Sequence, residues 1–520
     1  MKIDKIILEN FRGYKKRTEI SFDDLTVFIG KNDVGKSTIL QALDIFFNDK
    51  DASVKLDEND FNVFSGKDDE KEIIISVEFK DLPSEIIIDT TNKTTLEDEY
   101  LLTEEGKLRI IKKSTDGKKI NTYIEAYHPI SDECKDLLFK KNADLKKIVD
   151  TEKIDVPNKT VNALMRKAIW EHYNAKNKRE NVLLDINKKD GDIKSIWDCL
   201  LDYLPIYSLF QSDRKNDDND SEVQDPLKEA VKFIMKDDAI KKELDDVATK
   251  VKDKLQEVSN NTLLKLKDMD DKIADELHPD IPTTESLKWV DIFKNVSIKD
   301  NNDIPINKRG SGVKRLVLIN FFRAEAESKL LNNTKGGIIY AIEEPETSQH
   351  IDNQKILIDA FKKMIEDNQN IQIIITTHSG FIVKQFDSER LRMIVKNDNE
   401  VNVKKIEKGL LPYVSLNEIN YNTFGEIGVD YFNELYGFIN IDNDAIYEEY
   451  KKGKLTFNYI QLNSKNSNQT PKQYIKTKII RNQIHHPENK CNDSYTQEEL
   501  KLAIEEMRKY IVDNNLLAGE

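Results

Sequence analysis

Four short motifs hold residues able to handle a phosphate ester. Gly30-Lys31-Asn32-Asp33-Val34-Gly35-Lys36-Ser37 fits GxxxxGK[ST] at every required position, and Thr38 follows. Glycines in such a loop let successive backbone N–H groups curl around phosphate oxygens. Lys36 offers a cation to the β- and γ-phosphates, and Ser37 a hydroxyl to Mg²⁺. The expected nucleotide contacts are therefore Gly30, Asn32, Gly35, Lys36, Ser37 and Thr38. The second motif ends an apolar run with Glu343 and Glu344 (GGIIYAIEEPET, 336–347). Glu343 suits the Mg²⁺ shell, and Glu344 suits the base that orients an attacking water. A solvated loop after a strand is the plainer alternative. The third is IIITTHSG, where His378 can hydrogen-bond a γ-phosphate or serve only as a structural histidine. The fourth is Arg309-Gly310-Ser311-Gly312 ahead of the helical run VLINFFRAEAE. A Gly-Ser-Gly turn at a helix start can cradle an anion, although many loop–helix junctions look alike.

These side chains need strand ends and helix starts to hold them. LTVFI reads as a buried strand before the first motif, and TILQALDIFF as the helix that follows. IDKIIL, TEISF, IIISVEF (73–79) and IEAYH (124–128) read as further strands. GGIIYAI and IQIIIT are short continuous apolar runs, which suit strands buried on both faces of a sheet. Pro345 stops the first of these sharply. From about 130 the pattern turns helical and lysine-dense. Residues 140–190 hold 13 basic and 8 acidic residues, a net of +5, whereas 213–225 hold 6 acidic and 2 basic. Leu244, Val247, Val251, Leu255 and Val258 form an apolar stripe at helical spacing. It suits either packing within the chain or an intermolecular coiled coil.

GKNDVGKST, the GSG turn, the strand ending IEEPET and TTHSG, in that order, resemble the ATPase head of ABC/SMC proteins. They are most similar to the branch found in overcoming-lysogenization-defect (OLD) nucleases and related bacterial anti-phage ATPases, where EEPE stands for the more usual DEP. The resemblance covers roughly 1–125 and 295–395. It implies an α/β P-loop (ABC-type) head and an ATP, with Mg²⁺, sandwiched between two copies. Lys36, Ser37, Glu343, Glu344 and His378 would come from one copy, and Ser311 and Gly312, with Arg309, from the other. No Q-loop glutamine is identifiable, and Asp60 is the candidate for that position. The expected domains are a head over 1–125 and 295–410, a helical insertion for dimerisation or an arm over 126–294, and a helical C-terminal domain over 411–520.

In that last domain YIKTKIIRNQIHHPENK (474–490) fits a helix stopped by Pro487. It concentrates Arg481, Asn482, His485 and His486. TQEELKLAIEEMRKYIV carries an apolar stripe, Leu500, Ala503, Ile504, Met507 and Ile511, able to pack on it. Arg481-Asn482-x-x-x-His486 resembles the RNxxxH motif of HEPN ribonucleases, which are helical, metal-independent and usually dimeric. That implies His486 as general acid/base and Arg481 as the group stabilising charge on the scissile phosphate. Pro487 directly after the histidine departs from the pattern. The plainer alternative is that Arg481 and the histidines tie down the last helices. The TOPRIM nuclease that ends OLD and Gabija-type proteins needs an Asp-x-Asp pair on an α/β scaffold, and none is identifiable after 395.

The 520 residues carry 80 Lys plus Arg against 95 Asp plus Glu, a net of −15. This argues against a sequence-independent nucleic-acid coat protein, though not against a local basic groove. The lysine-dense 140–190 stretch is the expected place for one, a solvated helical face being the alternative. Three Cys without a CxxC pair exclude a disulfide scaffold and a Cys-rich zinc site. Neither a signal-peptide h-region nor a run of ~18 apolar residues is present, so a cytoplasmic protein away from the membrane is expected. The expected function is an oligomeric ATPase of bacterial anti-phage defence that gates RNA cleavage by its own C-terminal domain. The rival is a sensor and scaffold for a separately encoded nuclease, as in systems resembling Septu or PARIS. A DNA-repair ATPase fits less well, because ~70 residues per helix at ~1.5 Å each would span only ~100 Å of arm.

Overall fold

The computed structural model describes residues 1–49, 52–65, 72–89, 92–187, 192–211, 238–267, 320, 336–347, 349–397, 400–461 and 470–516. The chain divides into two compact units, 1–212 with 333–520, and 213–332.

In the first unit, six strands form an antiparallel sheet in the order β2 (Thr18–Ser21), β1 (Lys2–Glu9), β4 (Ile73–Lys80), β7 (Leu108–Ser114), β8 (Asn121–Pro129) and β9 (Arg179–Asp185). Six more form a second sheet, ordered β10 (Ile206–Phe210), β11 (Ile338–Glu343), β12 (Ile371–Thr377), β3 (Leu25–Ile29), β13 (Leu391–Asn397) and β14 (Glu400–Lys405). From β10 to β13 its strands are parallel, and β14 returns antiparallel. β3 and β12 are buried at every position, as continuous apolar strands covered on both faces must be. Helix α1 (Lys36–Asn48) buries Ile39, Leu40, Leu43 and Phe46 in one core that draws on both sheets. This is the α/β P-loop architecture the motifs imply. A small hairpin, β5 (Ile86–Asp89) with β6 (Asn92–Thr94), lies between β4 and β7 in the chain.

The expected helical insertion does not begin at 126. That position lies inside β8, β9 pairs with β8, and β10 joins the parallel sheet beside β11. Helices α2 (Asn142–Thr151), α3 (Asn162–His172) and α4 (Ile193–Leu201) are the connections between these strands. The lysines that suggested a separate helical body lie mostly on the outer faces of elements whose apolar residues, Leu145, Ile169 and Ile196 among them, enter the core of the head. In the second unit the described helix is α5 (Asp238–Lys267). It carries the expected stripe, with Val247, Val251, Leu255 and Val258 each more than half exposed.

Helix α6 (Ile351–Asp367) links β11 to β12, and α7 (Gly380–Val383) follows β12. Residues 411–511 build a separate core from Tyr431, Phe432, Leu435, Ile480, Leu500, Ile504 and neighbours. Its helices are α8 (Leu416–Phe424), α9 (Val429–Ile439), α10 (Asp444–Tyr450), α11 (Lys476–His485) and α12 (Gln497–Asp513). The region is not wholly helical. β15 (Thr456–Gln461) and β16 (Thr470–Ile475) pair antiparallel, so Tyr474 and Ile475 lie in a strand and the helix expected from 474 begins at Lys476. β-Branched and aromatic residues suit these strands, and in β15 Tyr459 is buried and Ile460 half-buried while the rest is exposed. No described helix is long and apolar enough to cross a membrane.

Candidate nucleotide site

Strand register brings the motifs together. β11 and β12 align Glu343 beside Thr376, and β12 and β3 align Thr376 beside Phe28 and Thr377 beside Ile29. The carboxyl ends of three parallel strands thus lie side by side, where open α/β sheets bind their ligands.

The loop after Ile29 turns into α1 through Gly35, whose φ of 102° is open to glycine and strained for other residues. Tyr14, fully buried, donates its hydroxyl hydrogen to the Gly35 carbonyl at 3.1 Å and braces the turn. Gly30 is needed for space: a Cβ there would lie 2.8 Å from the Ile394 carbonyl oxygen. Lys36 is only 4% exposed, and its Nζ donates to the carbonyls of Gly30 at 2.9 Å and Lys31 at 2.8 Å. Burial pulls its pKa down from 10.5, and the carboxylates of Glu344, Glu346, Asp33 and Glu343 act the other way. Asn32 is exposed on the loop, and Thr38 is half-buried on α1.

The Ser37 hydroxyl donates to Glu343 Oε1. Glu344 Oε1 lies 3.9 Å from Lys36 Nζ and 3.2 Å from His378 Nδ1. Glu344 adopts a φ of 44°, a left-handed backbone that costs a non-glycine residue about 1 kcal/mol or more. Its N–H still bonds the Thr376 carbonyl at 2.9 Å, and its own carbonyl accepts from Thr347 N at 3.0 Å across a turn with Pro345 at the second position. The strand therefore ends on a bend that holds Glu343 by Ser37 and Glu344 by His378.

Sequence reasoning assigned no role to Glu346. It is buried, and its Oε1 accepts from Thr377 Oγ1 at 2.7 Å and from the His378 N–H at 2.9 Å. His378 Nδ1 lies 3.4 Å from the same oxygen. The signal available was a third carboxylate in a five-residue acidic turn that only two roles had used. Asp60 does not stand free as a Q-loop substitute. Its carboxylate binds Arg12 Nε at 2.7 Å and the Asp57 N–H at 2.8 Å. Arg12 in turn bonds Gln41 on α1. Arg309, Ser311 and Gly312 lie outside the described residues.

The C-terminal motif lies apart, in the second core. Arg481 sits 3.6 Å from Asp442 and 5.5 Å over the Tyr436 ring. The Asn482 carbonyl accepts from the His486 N–H at 2.8 Å, closing α11. The exposed His486 Nδ1 is 3.1 Å from Glu488. His485, also exposed, has its pKa lowered by desolvation first and then by Arg481 and His486.

Residues 1–383 match the family model described as AAA ATPase domain. A relative, "Endonuclease GajA" of Bacillus cereus (strain HuB5-5), is 25% identical over 435 residues. That stretch is 74% of this chain and 56% of the relative, so the chain spans little more than half of that protein's length. Among solved structures, an SMC head bound to the C-winged helix domain of ScpA is 14% identical with a TM-score of 0.35, over 78% of this chain and 97% of that one. The SMC head domain from Thermotoga maritima is 12% identical with a TM-score of 0.31, over 78% of this chain and all of that one.

Proposed function

The chain belongs to the AAA ATPase domain family, and on that premise we propose that it binds and hydrolyses ATP at the strand-end site, as a homo-oligomer acting in bacterial anti-phage defence. The observation that carries the chemistry is the direct bond from Ser37 to Glu343, with Lys36, Glu344 and His378 around it. A hydroxyl and a carboxylate are hard oxygen donors, which suits Mg²⁺ held jointly by protein, phosphates and water. Ser37 and Glu343 would hold that ion, and when bound it would neutralise charge on the phosphate oxygens. The N–H groups of the 30–37 loop and the α1 N-terminus cradle the phosphates, and Lys36 adds a buried cation. Glu344 accepts the proton of the attacking water. His378 reaches the γ-phosphate while Glu346 holds its backbone in place. Arg309, Ser311 and Gly312 of a second copy complete the sandwich, which is the reason for an oligomer. Lys36→Ala abolishes ATP turnover on this reading. Glu344→Gln binds ATP but turns it over at least ~100-fold more slowly, as loss of a positioned base does. Unimpaired hydrolysis by Lys36→Ala overturns the assignment.

The 25% identity to an endonuclease supports a role in controlling nucleic-acid cleavage. Two routes follow. In one, His486 and Arg481 of this chain cut RNA. In the other, the chain is the ATP-dependent sensor and scaffold for a separate nuclease. Engagement of Arg481 by Asp442 and Tyr436, and of His486 by Glu488, favours the scaffold. Incubating the protein with ATP, Mg²⁺ and bulk RNA separates them. Cleavage abolished by His486→Ala establishes the first route, and intact RNA in the presence of phage extract rejects it.

A further inference from the structure

We propose that the β15–β16 hairpin and helix α11 form a binding surface for single-stranded nucleic acid. The inference goes beyond the ATPase reading and does not require that Arg481 and His486 cut anything. Residues 451–486 contain seven Lys, one Arg and no Asp or Glu, in a chain whose net charge is −15. One of those lysines, Lys465, lies outside the described residues. A run of 36 positions without a carboxylate stands out in a protein with 95 of them. Of its described residues, most form the paired strands β15 and β16 and the helix α11 packed beside them.

Cations alone would suit any polyanion, and the aromatic groups narrow the choice. Phe457 is 45% exposed and Leu455 79% exposed, both beside lysines. Phe457 pairs across the strands with Tyr474, and Tyr459 with Lys472. Lys476 Nζ sits 5.7 Å from the Phe457 ring centre. Asn458 and Gln473 are exposed and face each other as a cross-strand pair. An exposed ring flanked by cations is what unpaired bases use, a face for stacking and charges for phosphates, while Asn458 and Gln473, one residue along each strand, present donors and acceptors on the opposite face of the hairpin. A duplex hides its base faces and gains nothing from Phe457.

The charges are available. Lys452 and Lys472 are exposed and make no ion pair among the described residues. Lys451, Lys454, Lys476 and Lys478 pair with Glu448, Glu506, Glu499 and Asp442 respectively. Partly exposed pairs of this kind are weak and salt-screened, so phosphates can compete for the lysines.

Fluorescence anisotropy of the full chain with labelled oligo-dT, oligo-U and a DNA duplex, each of about 20 units, tests this at several salt concentrations, since one small single-strand module covers ~4–16 nucleotides. Oligo-dT lacks a 2′-hydroxyl and reads binding without RNA cleavage. Comparing the two strands distinguishes DNA from RNA as the source. Lys452→Glu with Lys472→Glu is expected to weaken binding at least about tenfold and to flatten the log–log salt slope by about 1.4, from ~0.7 per phosphate contact. Phe457→Ala is expected to weaken it about fivefold or more with the slope unchanged. All three substitutions are at exposed positions of the second core, so circular dichroism and a thermal unfolding midpoint matching wild type show that the variants are folded. Lys146→Glu with Lys147→Glu, in the other lysine-dense stretch, should leave binding intact. The proposal is overturned if neither single strand binds, if the duplex binds as tightly, or if only the Lys146/Lys147 variant loses binding.

Discussion

Glu346 offers the sharpest test of how the nucleotide site is held. Its Oε1 is the shared acceptor for Thr377 Oγ1 and the His378 N–H. Glu346→Ala removes that acceptor and leaves two donors at the end of a fully buried strand. Hydrogen bonds to a charged group contribute about 1.5–3 kcal/mol each, and two that share one oxygen are not additive, so a loss of about 3 kcal/mol is expected. Glu346→Gln keeps a carbonyl oxygen able to accept both bonds and should cost about 1 kcal/mol. The effect is local, so hydrogen exchange of the peptide spanning 371–383 is the assay. An opening free energy lowered by about 3 kcal/mol speeds exchange by about 150-fold where exchange follows local opening. Turnover should fall with it, because a reacting group displaced by about 1 Å can lose about 100-fold in rate. Glu346→Gln should keep turnover within about tenfold of wild type on the same reasoning. Equal damage from Gln and Ala would show that Glu346 acts by its charge, and no change in exchange with Ala would show that it holds nothing.

Ser37→Ala removes the hydroxyl bonded to Glu343, so a titration of ATPase rate against Mg²⁺ should require at least about tenfold more Mg²⁺, and an unchanged requirement refutes the metal role. Burial sets the folded pKa of Lys36 below its unfolded value of 10.5, so between those two values the unfolded chain holds more protons. The burial cost of this residue is thus fully present below the folded pKa and is relieved as pH rises toward 10.5, which makes wild type gain stability over Lys36→Met across that window in urea unfolding. A relative loss there reverses the sign and sinks the argument. Asn420 is buried and its Nδ2 donates to the Gly380 carbonyl at 3.0 Å, so Asn420→Ala should cost about 1–2 kcal/mol and speed amide exchange in α8.

Elements with strong local signals were legible. β3, β11 and β12 announce themselves as short, predominantly apolar runs, and the loop into α1 as a spacing that only one kind of backbone satisfies. From those, the meeting of Ser37 with Glu343, 306 positions away, follows once the strands are laid parallel. Glu346 was not legible, because its partners are the hydroxyl of Thr377 and one backbone N–H, and no spacing rule encodes either. β9 and β10 were missed for a different reason. RENVLLD is more than half charged or polar and sits at a sheet edge, and IYSLF is only five residues long, so the Pro205 break ahead of it was passed over and lysine density outweighed both. A net charge taken over a fixed window hides the acid-free run: residues 471–520 hold 8 basic and 8 acidic residues, because a boundary at 471 cuts the run in two and pools its second half with the acidic α12.

Two residues separate the nucleotide site from the second core. Glu346 fixes the His378 amide, Ser379 caps α7 by accepting from Ile382 N at 3.4 Å, and the Gly380 carbonyl is held by Asn420 of α8. Lys384, the residue that ends α7, pairs with Asp430 of α9 at 2.8 Å. A Cβ on Gly380 would lie 2.1 Å from the Glu426 carboxylate and 2.7 Å from Asn420 Nδ2, so a side chain there would have to displace both. A peptide this short, pinned at both ends, has few torsions in which to absorb a movement. A shift of His378 toward a γ-phosphate must therefore be taken up by the torsions of Ser379 and Gly380, or it moves Asn420 and α8. The same bonds that stabilise the 378–384 segment leave it little freedom, so loosening Asn420 should release α8 without disturbing Glu346.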